Sequence, residues 1–247
     1  MEIKSQKNIG FVLIHGAGLG AWIWEDLITN LGYPCLAIDL PGRGKHADIT
    51  TTDLSLNQYV ESVLFDINQF SPANLIIVAH SISGLIGIEI SNKLKNRVIG
   101  FIAISASIPS VNGSYISSLP FLTGLFLRVI FMFAGTRPPA PAIQGGLCND
   151  LDDKCTSKII DHFIPESKKL YTDKLQAQGI PNNSLYIHLK KDRALSGAIQ
   201  ARMINNLHAK QVIDIDSGHL PMFSKPNELA QILNTFASSL IWSFFWK

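Results

Sequence analysis

Two kinds of apolar pattern alternate along the chain. The first is a short, mostly apolar run: residues 9–14 (IGFVLI), 35–40 (CLAIDL), 75–78 (LIIV), 98–104 (VIGFIAI), 185–189 (LYIHL) and 211–215 (QVIDI). Runs this short, rich in Ile and Val and without strict alternation, read as strands covered on both faces of a parallel sheet. The second is longer, with apolar residues three or four apart. Residues 21–31 put Trp24, Leu27, Ile28 and Leu31 on one face and stop at Gly32. Residues 55–70 carry a stripe of Leu56, Tyr59, Val63, Ile67 and Phe70, with Ser55 and Gln58 spaced as a capping box. Leu85, Ile86, Ile88, Ile90 and Leu94 mark a third helix and residues 198–207 a fourth. A final one, capped by Ser224, carries Leu229, Ile232, Leu233, Phe236 and Leu240. Six strands, five of them followed directly by a helical pattern, predict a doubly wound parallel sheet.

The alternation fails only over residues 109–181. Residues 119–134 are strongly apolar, Pro138, Pro139 and Pro141 follow, and residues 149–178 are polar and mostly helical in pattern. Such sheets carry their sites at the carboxyl ends of the strands. An insertion leaving that edge covers the site, so residues 1–247 read as one domain with residues 109–181 as its cap.

Residues 75–84 read LIIVAHSISG. Ser81 stands between the strand and the next helix, with small residues two before and two after it. A serine on so sharp a turn needs small neighbours, because backbone and adjacent strands crowd it. The turn lifts Oγ off the sheet and aims the first N–H groups of the helix at whatever Oγ attacks. This is the nucleophile-elbow pattern G-x-S-x-G with Ala79 and Ser83 replacing both glycines; the plainer alternative is an ordinary strand–helix turn that contains a serine. A serine hydroxyl attacks only when a base takes its proton, and the base needs a third group to orient it. Asp192 follows the strand 185–189 and His219 the strand 211–215, giving the order serine, acid, histidine along the chain. Asp214 and Asp216 lie too near His219 in sequence to cradle its ring, and Asp39 ends the second strand, away from where the acid belongs. His15 reads as a structural hydrogen-bonder, and the backbone direction turns His80 away from the Ser81 Oγ. His46, His162, His188 and His208 read as surface or cap residues. A tetrahedral intermediate needs two N–H donors. Ile82 supplies one, and the loop His15-Gly16-Ala17-Gly18-Leu19-Gly20 supplies the other through Ala17. These glycines do not make a phosphate loop, because the G-x-G-x-x-G spacing is imperfect and no Gly-Lys-Ser/Thr follows.

Composition narrows the picture further. With 47% hydrophobic residues the 247-residue chain can build a sizeable core. A net charge of +2 with scattered lysines and acids leaves no nucleic-acid footprint. Cys35, Cys148 and Cys155, without C-x-x-C spacing, read as reduced thiols and imply neither disulfides nor a zinc site. The polar start and the short apolar run 9–14 lack a signal h-region, which predicts a cytoplasmic protein.

FVLIHGAGLGAWIW, the serine elbow, Asp192 and SGHLPMFSKPNELAQIL together resemble the α/β-hydrolase superfamily. The nearest branch holds plant methylesterases, hydroxynitrile lyases and bacterial esterases. The resemblance covers the core strands and the final helix, and residues 109–181 are not matched in detail. It implies an α/β-hydrolase fold: a six-stranded, mainly parallel sheet with helices on both faces and a helical cap. It also implies catalytic Ser81, Asp192 and His219, backbone oxyanion donors Ala17 and Ile82, no metal or cofactor, and hydrolysis of a small to medium apolar carboxylic ester through an acyl-enzyme. The branch usually writes its elbow G-H-S-x-G-G, so Ala79 and Ser83 predict a normal elbow with a slightly altered site wall. Lyases of the branch carry lysine directly after the catalytic histidine and threonine after the first-strand histidine. Leu220 and Gly16 stand there, which favours the esterase. Thioesterase or acyltransferase chemistry and a non-catalytic receptor on this fold stay open.

The apolar residues 119–134 are 16 in number, below the roughly 20 a membrane span needs, and include Pro120, Gly124 and Arg128. A span there would also separate Ser81 from Asp192. Two readings remain: a cap helix buried against the core, or one whose apolar surface lines the substrate entrance and rests on lipid. In the tail, Trp242, Phe245 and Trp246 fall off the helical stripe that Phe244 continues, and Lys247 follows. Aromatics so placed suit a membrane interface or a homodimer contact. The expected partners are therefore a small-molecule ester and no nucleic acid, with weak membrane-interface or homodimer contact through the tail.

Overall fold

The computed structural model describes residues 8–177, 179 and 182–245, and residues 242–245 by backbone alone. The side chains of Trp242, Phe244, Phe245, Trp246 and Lys247, on which the tail reading rests, lie outside what is described, as does Pro181. Six strands, β1 (Ile9–Ile14), β2 (Cys35–Ile38), β3 (Asn74–His80), β4 (Val98–Ile104), β5 (Ser184–Leu189) and β6 (Gln211–Ile215), form one sheet. Their order is β2-β1-β3-β4-β5-β6 and every neighbouring pair is parallel, so the expected mainly parallel sheet is parallel throughout the described residues. The chain steps outward from β1 to β2, then returns to β3 on the other side of β1. That reversal is the switch point at which open α/β sheets leave a crevice. The pairing of Ile14 with Ala79 sets the loops leaving β1 and β3 side by side there.

In chain order the helices are α1 (Glu25–Ile28), α2 (Leu56–Ile67), α3 (Ser83–Lys93), α4 (Tyr115–Ser118), α5 (Phe121–Phe133), α6 (Ala140–Gly146), α7 (Asp153–Asp161), α8 (Lys168–Thr172), α9 (Gly197–Leu207), α10 (Pro221–Ser224) and α11 (Pro226–Phe245). Successive strand residues face opposite sides and feed two cores. Phe11, Leu13, Ile76 and Val78 pack with Leu27 of α1 and Leu229, Leu233 and Phe236 of α11. Val12, Ile14, Ile77 and Ala79 pack with Tyr59 and Val63 of α2 and Leu85 and Ile86 of α3. The Ser55–Gln58 capping box of α2 is formed in both directions.

Three local expectations change. The helix expected over residues 21–31 is a 3-10 turn, Ala21–Trp24, followed by the single turn α1. Thr29 Oγ1 and Asn30 Nδ2 both donate to Asp26 O, and this side-chain bonding closes the helix early. Strand β2 ends at Ile38 because Asp39 turns aside to accept the Ala21 N–H at 2.8 Å. Ser224 does not cap the last helix. It ends α10, its Oγ has no partner among the described residues, and α11 starts at Pro226, which presets a helical φ.

Between β4 and β5 run α4 to α8. In α5 only Gly124 is buried. Phe121, Leu122, Leu125, Phe126, Val129, Met132 and Phe133 are exposed, the two end phenylalanines by 82% and 83%. This overturns the reading of a helix buried against the core. At 100° per residue those seven side chains fall within one continuous face, and Thr123, Leu127 and Phe131 fall on the other. No helix among the described residues is long and apolar enough to cross a membrane.

Candidate active site

Ser81 has φ 57°, in the left-handed region that costs a non-glycine residue about 1–3 kcal/mol. Its neighbours hold it there. Ser81 N–H donates to Ile104 O at 3.2 Å, and Ser81 O accepts from Ser107 N–H at 2.8 Å and Gly84 N–H at 3.2 Å. A Cβ on Gly84 would run into Ser107 O, so α3 can approach the chain after β4 only with glycine at that position. Ser83, which replaces a glycine of the elbow pattern, is fully buried, and its hydroxyl donates to His15 O. It ties α3 to the loop after β1 and does not form the altered site wall that was expected.

Asp192 leaves β5 and His219 follows β6, and the two meet: His219 Nδ1 donates to Asp192 Oδ2 at 2.6 Å. Asp192 Oδ2 also accepts from Ser105 Oγ at 2.7 Å, and Oδ1 accepts from the N–H groups of Ala194 and Leu195 at 2.7 and 2.9 Å. Burial alone would raise this carboxyl. The His219 ring beside it, together with the Ser105 and Leu195 hydrogen bonds, outweighs burial and holds it at about 2. The carboxylate is therefore an acceptor only, which fixes Nδ1 as the protonated nitrogen of the neutral imidazole and leaves Nε2 with a lone pair.

Ser81, Ile82, Gly16, Ala17 and His219 open on one cavity of about 420 Å³. Its remaining wall comes largely from the chain between β4 and β5, with Leu119, Thr123, Leu127 and Phe131 of the α4–α5 segment, and it is mostly apolar. Among the described residues no hydrogen bond joins Ser81 Oγ to the His219 ring; such bonds often tighten only around substrate. A Cβ on Gly16 would stand 2.9 Å from both His80 Nδ1 and Ser81 Cβ, so this position admits no side chain without displacing the elbow.

The remaining candidates have other partners. Asp214 pairs with His188 at 2.9 Å and Asp216 with Lys191 at 2.7 Å, both at the surface. His46 pairs with Asp66 and His162 packs against Trp22. His15 is a hydrogen-bonder: Nδ1 bonds Gly16 O and Nε2 accepts from Leu40 N–H. His80 faces the cavity, but burial pushes its ring down to about 3, and its neutral Nε2–H donates to His219 O at 2.8 Å. It therefore holds the backbone of His219 and is no second base. Sequence reasoning missed this bond and missed Ser105. The one local sign of Ser105 is a serine directly after β4, at the same sheet edge.

Residues 11–232 match the family model described as the alpha/beta hydrolase family. Methylesterase 9 of Arabidopsis thaliana is 26% identical over 246 residues, covering 90% of this chain and 96% of the relative. The carbendazim hydrolyzing esterase of Nocardioides sp. (strain SG-4G) is 23% identical over 239 residues, covering 90% and 97%. A solved extracellular alpha/beta-hydrolase from a Paenibacillus species superposes with a TM-score of 0.82 at 19% identity, covering 91% of this chain and 97% of that one, a likeness of fold. With a serine on a left-handed turn at the end of β3 and nine-tenths of the chain matched, this protein belongs to the α/β-hydrolase family.

Proposed function

We propose that this protein is a serine carboxylesterase that cleaves small to medium apolar esters through an acyl-enzyme, beneath a cap formed by residues 109–181. The observation that carries the reading is a His219 held by a buried hydrogen bond to Asp192 and facing, with Ser81, one mostly apolar cavity. In this reading His219 Nε2 takes the Ser81 proton as Oγ attacks the ester carbonyl. The Ala17 and Ile82 N–H groups stabilise the oxyanion. The intermediate collapses, His219 gives the proton to the departing alkoxide, and a water activated by the same histidine then releases the acid. Asp192 holds the imidazole in its useful tautomer throughout. Relatives named methylesterase and carbendazim hydrolyzing esterase support ester cleavage.

Two observations weigh against the cyanohydrin-lyase alternative. Leu220, fully buried, brings no cation beside His219, and a threonine in place of Gly16 would press on His80 and Ser81. The exposed face of α5 supports weak association with lipid, because the opposite face of the same helix lines the cavity. The test is Ser81→Ala against p-nitrophenyl esters, with mandelonitrile and an acyl thioester in parallel. Loss of a triad nucleophile lowers kcat by about a million-fold. A folded variant that keeps a tenth of the activity removes Ser81 from the mechanism, and faster turnover of mandelonitrile or thioester than of any ester replaces the carboxylesterase reading.

A further inference from the structure

The loop of residues 16–20, which carries the Ala17 N–H, is gripped from two sides. On the sheet side, Gly16 O accepts from His15 Nδ1–H at 2.8 Å and from Leu19 N–H at 3.3 Å. A trans peptide is planar, with its C=O and N–H pointing opposite ways, so pinning Gly16 O aims the Ala17 N–H. Burial keeps the His15 ring neutral, and Leu40 N–H donates to its Nε2, which leaves the proton on Nδ1 for this bond.

The second grip comes from the chain between β4 and β5. Ile164 N–H donates to Gly18 O at 3.1 Å in an isolated antiparallel bridge. Gly18 N–H donates to Glu166 Oε1 at 3.1 Å. Arg43 Nη1 lies 2.7 Å from the same oxygen and donates to Leu19 O at 2.6 Å. Tyr59 OH donates to Glu166 Oε2 at 2.9 Å and accepts from Ser167 N–H at 3.0 Å. The Glu166 side chain is wholly buried and that of Arg43 nearly so. A buried ion pair is costly to desolvate and is weak evidence of net stability. This one has the backbone of the glycine loop bonded into it on both members, and that points to placement of the loop.

Resting on the reading of Ala17 as an oxyanion donor for a Ser81-bound intermediate, we propose that Glu166 is a positioning residue of the oxyanion hole. With Arg43 and Tyr59 it locks the glycine loop, so that the hole is formed only while the segment bearing Ile164 and Glu166 is seated on the sheet. Displacing that segment withdraws both of its bonds to Gly18 together and leaves the loop held by the Gly16 O bonds on the sheet side.

The test compares Tyr59→Phe and Glu166→Gln with wild type in three measurements: kcat and KM on a p-nitrophenyl ester, the Ki of a trifluoromethyl ketone, and the Ki of the matching unreactive amide. The ketone adds to Ser81 and places an alkoxide in the hole; the amide reports ground-state binding alone. Misplacing one donor predicts a kcat loss of about tenfold to hundredfold, matched by the ketone, with KM and the amide Ki within about twofold. Val63→Ala, in the core on the same helix as Tyr59, costs stability without touching the network, and its kcat and ketone affinity stay at wild-type values. Glu166→Gln leaves Arg43 buried without its anion and can fail to fold, in which case Tyr59→Phe carries the test. The proposal is overturned if Tyr59→Phe leaves kcat and the ketone Ki unchanged, if KM alone rises, or if Val63→Ala loses ketone affinity equally. Should Ser81→Ala stay active, the esterase reading itself falls and takes this inference with it. A Ser81-dependent esterase indifferent to Tyr59→Phe sinks the Glu166 role alone.

Discussion

Replacing Asp192 by asparagine changes one heavy atom and one tautomer. Oδ1 sits between the N–H groups of Ala194 and Leu195, so the amide oxygen of an asparagine takes that side. Its NH2 then faces His219 Nδ1 and Ser105 Oγ, both of which donate to Asp192 Oδ2. Two donors cannot share one hydrogen bond, so the imidazole must move its proton to Nε2, the nitrogen that has to accept from Ser81. The same substitution in a serine protease lowered kcat by about ten-thousand-fold, which is about 5.5 kcal/mol of barrier at 1.36 kcal/mol per factor of ten. Asp192 holds the histidine from behind the cavity wall, so the loss falls on kcat and leaves KM within about threefold. Asp216→Asn is the matched control. It removes an exposed pair with Lys191, a kind of contact worth little in water, and is expected to leave kcat within about twofold. Steady-state kinetics on p-nitrophenyl butyrate, with circular dichroism to check folding, decide the matter. Equal losses at the two positions, or more than a tenth of wild-type kcat in Asp192→Asn, would refute the assignment of the acid.

Lengthening the acyl chain from acetate towards hexanoate should raise kcat/KM by about fourfold per methylene, since each buried CH2 contributes about 0.8 kcal/mol; a preference for acetate over every longer chain refutes an apolar acyl pocket. The Asp192 carboxyl is held at about 2, below the ordinary value of about 3.9, so its contribution to stability is complete above about pH 4 and is lost as pH falls through about 2. Urea titrations should show the gap between wild type and Asp192→Asn narrowing over that window by on the order of 2 kcal/mol, and a gap independent of pH contradicts the argument. Replacing Phe121, Phe126 and Phe133 together by serine should lower co-sedimentation with phosphatidylcholine vesicles while sparing turnover of a soluble ester. A wild-type protein that ignores the vesicles refutes lipid contact by α5.

The parts of the fold that were legible in the sequence are those whose partners are repeated or near. A strand buried on both faces must be apolar along its whole length, so β3 and β4 announce themselves. The α2 start is written in Ser55 and Gln58, three residues apart. Ser81 was legible because a left-handed turn between strand and helix tolerates only small neighbours, and Asp192 and His219 because each follows a strand ending on the edge that already carried Ser81. The pattern could not show what one side chain does to one backbone group. Asp39 shortens β2 by turning to Ala21, and Thr29 with Asn30 closes α1 early; these are one and two side-chain hydrogen bonds that no periodicity encodes. The apolar face of α5 misleads for the opposite reason. Apolar residues at helical spacing normally mean burial, and here both faces are apolar while one meets the cavity and the other meets solvent.

Glu166 marks the limit of such reading. In Pro165-Glu166-Ser167-Lys168-Lys169 it looks like a solvated acid before a basic helix, and that local context is ordinary. Its burial follows from partners 148 residues away at Gly18 and 107 away at Tyr59. The glycine loop and the segment after α7 meet only because β1 lies beside β3 at the switch point while the chain leaving β4 folds back across that edge. The buried Glu166–Arg43 pair would be a net cost to folding if the fold were all that mattered, since a pair of apolar side chains of similar volume often packs at least as well. What an apolar side chain cannot do is accept the Gly18 N–H and hold a guanidinium against the Leu19 carbonyl. The chemistry of the residue at 166 is therefore set by the backbone of the glycine loop, and the strain of keeping a charge pair out of water is spent on the geometry of a single N–H group.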